Sequence, residues 1–105
     1  MSRIESMNYT TIEPVAPAAQ NPHHLRIYAL STCAFCERAL QFLKDQRLRH
    51  EYLLVDNLEP ETKRELKAEL KGKFGNIPVF PLLVIDHETA ISGFTEEKWR
   101  EAIGL

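Results

Sequence analysis

The chain has 105 residues, with 13 Lys and Arg against 15 Asp and Glu. It is one domain's worth of protein and lacks the basic excess of a sequence-independent nucleic-acid binder. Hydrophobic residues make up 44% and there are two cysteines; this is enough apolar material for one core, too dispersed for the roughly 18–20 continuous residues of a membrane span, and too poor in cysteine for a disulfide-dense secreted scaffold.

The first 22 residues carry Pro14, Pro17 and Pro22 and show no regular apolar spacing. Arg3 is followed by Glu5, and the short apolar run at 15–19 is broken by Pro17, so neither a secretory signal nor a transit peptide fits. The reading is a flexible leader over 1–23, a folded domain over 24–105 and a cytoplasmic location by default. Residues 25–30 are apolar and β-favouring, and predict a first strand. Ser31 and Thr32 break it and offer hydroxyls for a helix N-cap. Cys36, Ala39, Leu40, Phe42 and Leu43 then share one face of a helix over 34–47, with the charged residues elsewhere. A second strand over 51–56, with a continuous apolar middle, completes a βαβ unit with a parallel pair.

Leu58, Thr62, Leu66, Leu70 and Phe74 recur every four residues, which predicts a second helix starting near Pro60 and ending at Gly72 or Gly75. Its charges read as a solvated face, with Glu59/Lys63 and Glu69/Lys73 as i,i+4 pairs. A third strand over 82–85, a turn at 86–88 and a fourth strand over 89–92 follow. Thr95 or its neighbour caps a last helix over 96–103, with Trp99 and Ile103 facing inward. The expectation is an α/β domain in the order βαβαββα, with a mixed four-stranded sheet and three helices.

The chemistry centres on Cys33-Ala34-Phe35-Cys36, which follows the first strand and opens the first helix. There Cys33 lies among unpaired backbone N–H groups at the positive end of the helix dipole, which favours thiolate, the nucleophile of disulfide exchange. Cys36 lies one turn on, close enough to form a disulfide, and belongs to the apolar face. Cys33 is therefore expected to attack and Cys36 to resolve. A zinc finger would need paired histidines about a dozen residues on, and His50 and His87 have no such spacing, so no metal is expected. His50 opens the second strand, parallel to the first, and lies at the end of the sheet away from Cys33. Phe80-Pro81 directly precedes the third strand; if that strand runs antiparallel to the first, it starts beside Cys33. Pro78 is the competitor, but the strand follows Pro81 without a gap. Gly93-Phe94 should approach the same corner.

On these residues the chain resembles the glutaredoxin family over 25–105. The matching pieces are Ile27-Tyr28, Thr32-Cys33-Ala34-Phe35-Cys36, Pro81-Leu82-Leu83-Val84-Ile85 and Ser92-Gly93-Phe94. The resemblance implies a thioredoxin-like fold, a cis peptide at Pro81 and thiol–disulfide oxidoreductase activity. It also implies a substrate surface made by Thr32, Phe35, Phe80, Pro81, Gly93 and Phe94. Glutathione-using members carry a lysine where this chain has Leu30, a threonine where it has Val79, and Cys-Asp where it has Phe94-Thr95; Arg38 and Lys73 are the cations that could substitute. The expected partners are therefore protein disulfides and a thioredoxin-reductase-like or ferredoxin-linked reductase, with a monomeric chain and no resident cofactor. The alternatives are glutathione-dependent deglutathionylation and a [2Fe–2S] module in which two chains each supply Cys33.

Overall fold

The structure, a computed structural model, describes residues 4–14, 16, 20–75 and 79–105. Its centre is β2 (Leu25–Ala29), buried along its whole length. Alternation along the strand divides the core in two. Leu25, Ile27 and Ala29 face α1 (Ala34–Asp45) and α3 (Glu96–Ile103), packing with Phe42, Leu43 and Trp99. Tyr28 faces the other way, with Leu66 and Leu70 of α2 (Pro60–Phe74). The first turn of α2 holds Pro60, and Gly75 closes the helix in the left-handed region, its N–H donating to Lys71 C=O. α1 stops two residues short of the expected end because Arg47 has a positive φ of 56° and Leu48 N–H turns back to Leu43 C=O.

β2 pairs in parallel with β3 (His50–Leu54) and antiparallel with β4 (Leu82–Ile85), and β4 forms a hairpin with β5 (Thr89–Ser92). Val55–Asn57, partly assigned to the second strand from sequence, is a single 3₁₀ turn. The four-stranded expectation is corrected to five. β1 (Thr10–Ile12) pairs antiparallel with β3, giving the order β1-β3-β2-β4-β5. Without it the outer edge of β3 would present unpaired backbone groups, and a β-branched Thr-Thr-Ile segment suits that edge.

Residues 4–14 are thus built into the domain, which corrects the leader reading for them; residues 1–3, 15 and 17–19, also assigned to the leader, lie outside the described set. Ile4 is 2% exposed and packs in the α2-side core. Behind it Tyr9 hydrogen-bonds the Ile4 carbonyl and, at 2.8 Å, the Tyr28 hydroxyl. The guanidinium of Arg26 lies 4.1 Å from the centre of the Tyr9 ring and reaches Glu5 at 3.2 Å and Glu51 at 3.3 Å. Burial disfavours the Arg26 charge, but Glu5 and the two tyrosines more than offset it.

Candidate active site

Register brings three segments to one end of the sheet. Ala29 is level with Leu54, and Tyr28 with Leu82, so Pro81 falls beside the last residue of β2. Leu82 is level with Ser92, which sets Gly93 beside Pro81, and Gly93 N–H donates to Pro81 C=O at 2.8 Å. The Phe80–Pro81 peptide is cis. The competing Pro78 lies outside the described residues. Gly93 sits at φ 76°, a conformation that favours glycine. Its carbonyl accepts the Trp99 indole N–H at 2.9 Å, and Phe94 stacks edge-on to Trp99 with centroids 5.0 Å apart. One buried tryptophan of α3 thereby fixes the turn beside the thiols.

Cys33 is itself the N-cap of α1, in extended backbone, and its sulfur accepts the Cys36 N–H at 3.2 Å. This corrects the expected cap: Thr32 is exposed, and Ser31 is engaged elsewhere. The Ser31 N–H donates to Asp56 Oδ1 at 2.9 Å and its hydroxyl to Asp56 Oδ2. A sulfur that caps a helix already holds the kind of donor an anion needs. Cys36 is 1% exposed. Burial first, then its hydrogen bond with Cys33, pushes the Cys36 thiol up to about 12. The pair is therefore asymmetric, with one partly exposed sulfur at a helix start and one buried sulfur that keeps its proton.

The surroundings are apolar. Phe35 is 57% and Val79 59% exposed, two of the few large hydrophobics so exposed among the described residues. Phe80 is half-buried between the two cores, and Leu30 packs against both. The two cations considered for a carboxylate lie on aromatic rings instead: Arg38 is 5.6 Å from the Phe35 centroid and Lys73 5.5 Å from that of Phe74. Among the described residues no group of three or more His, Cys, Asp and Glu is arranged to hold a metal ion. His50 is 2% exposed, opens β3 at the far end of the sheet and engages Leu48 C=O through Nδ1 at 2.9 Å.

Sequence reasoning missed Asp56, Trp99 as the anchor of Gly93, and Val79 as an exposed neighbour of the cis peptide. A signal existed for Asp56 alone: in a parallel pair joined by one helix, the residues just beyond both strands lie side by side.

The glutaredoxin family model matches residues 25–90. Among solved structures, the chain is similar to a glutaredoxin from Methanosarcina mazei Go1, with 29% identity and a TM-score of 0.74 over 92% of this chain and 88% of that one. It is also similar to the methanoredoxin of Methanosarcina acetivorans, with 34% identity and a TM-score of 0.69 over 78% and 85% of the two chains. A glutaredoxin from Archaeoglobus fulgidus matches at 32% identity, with a TM-score of 0.64 over 76% and 85%. The coverage of the first requires that most of the 24 residues before β2 align as well. No curated protein matches.

Proposed function

Since the chain belongs to the glutaredoxin family, with a thioredoxin-like fold, we propose that it is a dithiol carrier that reduces disulfides in other polypeptides through Cys33 and Cys36. The thiolate of Cys33 attacks one sulfur of the target disulfide; a mixed disulfide forms and the other target sulfur leaves as a thiolate that takes up a proton. The sulfur of Cys36, losing its proton, then attacks Cys33. The Cys33–Cys36 disulfide forms, the second target thiol is expelled, and two electrons have passed to the target. The observation that carries this reading is the asymmetry of the pair: the Cys33 sulfur caps the helix while the Cys36 thiol is buried and hard to ionise.

The apolar surround supports a polypeptide substrate. Thr32 and Phe35 precede and follow Cys33 on the exposed side, and Phe80, Pro81, Gly93 and Phe94 form the facing wall. Recharging is assigned to a thioredoxin-reductase-like or ferredoxin-linked enzyme rather than to glutathione, because Leu30 offers no charge to a carboxylate and Arg38 and Lys73 lie against rings. The cytoplasm, whose reducing poise keeps thiols free, is the compartment that suits such a carrier.

The test offers the oxidised protein two electron sources separately, glutathione with glutathione reductase and thioredoxin reductase, and follows NADPH. Turnover with the reductase alone is expected; turnover with glutathione would overturn the donor assignment. In the same assay with a protein disulfide, Cys33→Ser is expected to fall to background, and retained reduction would overturn the mechanism.

A further inference from the structure

The connection after β3 and the loop that carries Cys33 meet through a single carboxylate. Ala29 and Leu54 are level in the parallel pair, so Ser31 and Asp56, each two residues further on, leave the sheet side by side. Asp56 takes the Ser31 backbone N–H on one oxygen and the Ser31 hydroxyl on the other. Such a two-point contact restrains both the main chain and the side chain of the residue two before Cys33. The Ser31 hydroxyl first, then the Ser31 N–H, hold Asp56 below the usual carboxylate range, so it is charged at neutral pH. Its charge opposes ionisation of Cys36, in addition to burial and the Cys33 hydrogen bond.

We propose that Asp56 is a positioning residue of the dithiol: it fixes the Ser31 turn that presents Cys33 and sets a carboxylate charge at the loop leading to the two thiols. The protonated Cys36 then serves the Cys33 sulfur as a partner instead of competing with it as a second nucleophile. This rests on the assignment of Cys33 as the attacking thiol. The charged and titratable groups that bear on Cys36 come from three directions. They are Cys33, Glu37 and Lys44 of the α1 side, His50 and Tyr52 of β3 along the same cleft that Cys36 lines, and Asp56 itself, whose charge Lys63 of α2 partly offsets.

The two halves of the proposal have separate readouts in the full chain. The charge is read in a Cys33→Ala background as the rate of Cys36 alkylation by iodoacetamide between about pH 8 and pH 10, where thiolate rises about tenfold per unit. Asp56→Asn keeps an acceptor for the Ser31 N–H and drops the charge. It is expected to speed alkylation about threefold at each pH, a small factor because Asp56 is exposed and its field is screened. Asp56→Glu, which keeps the charge, is expected to stay near the parent rate. The restraint is read as exchange of the Ser31 amide hydrogen, expected to quicken several-fold in Asp56→Ala and to change little in Asp56→Asn. Unchanged Cys36 alkylation in Asp56→Asn, whatever its melting temperature, would overturn the proposal, as would a Ser31 amide indifferent to Asp56→Ala. Neither readout uses disulfide reduction, so failure of the dithiol reading would show separately, as activity retained by Cys33→Ser.

Discussion

At the N-terminal end of β2, Arg26 lies among Glu5, Glu51, Tyr9 and Tyr28. Beside it His24 reaches Glu51 at 2.5 Å and stacks on His87 at 4.3 Å, while His23 holds Asp86 at 2.6 Å. At the C-terminal end of the same strand, Cys33 and Cys36 lie among Leu30, Phe80 and Phe94, with Asp56 held on Ser31. The two ends divide the work of the fold. The polar end ties distant segments to the sheet: the 3₁₀ turn at Ile4–Ser6 through Glu5, and the β4–β5 turn through Asp86 and His87. The thiol end spends few polar groups on itself and leaves apolar surface, Phe35 and Val79 above all, open to solvent.

The largest break in this contrast is expected from Arg26→Met. It removes the hub of the polar end and leaves Glu51, largely buried, with His24 alone. The loss should be about 3 kcal/mol, at the low end for a broken buried pair because Glu5 can turn to water. Urea unfolding measures it, and disulfide reduction by the folded fraction should be unchanged. An intermediate effect is expected at the other end from Trp99→Phe, which keeps an aromatic ring in the core but removes the indole N–H that holds Gly93 C=O. Stability should fall by about 1 kcal/mol. If the Gly93–Phe94 wall serves a polypeptide substrate as proposed, the KM for a protein disulfide should rise several-fold while a small disulfide is reduced as before.

The smallest effect concerns His50. Burial first, with the nearby Lys44 adding to it, holds its imidazole below the ordinary value of 6.5, against the opposing pull of Leu48 C=O. The unfolded chain therefore binds a proton that the folded one resists. Stability owed to the neutral ring is complete above about pH 6.5 and is lost as pH falls below that toward the lowered folded value. His50→Phe should flatten the pH dependence of the urea midpoint between about pH 6.5 and pH 5 relative to the parent. An unchanged slope would overturn the assignment of that pH dependence to His50.

Periodicity was enough for the helices and the inner strands because each buries one face against a common core, and the spacing of Leu66 and Leu70, or of Trp99 and Ile103, records that face directly. The thiol pair was legible for a related reason: a CxxC directly after a strand can only open the next helix. The N-terminal strand was not legible. Three residues are too few to show alternation, and Ile4, Met7 and Tyr9 follow neither a helical nor a strand period, since they pack on a surface made by α2 and β2.

The sequence by itself determined the order of elements from β2 to α3, because it rests on local spacing and on the faces that spacing buries, and its motifs carried the family resemblance. The tertiary structure decided the rest. Which edge the first residues cover and which carboxylates hold Arg26 depend on contacts between residues 20 or more apart. Such pairings are set by register and packing across the sheet, and a linear pattern carries no record of them.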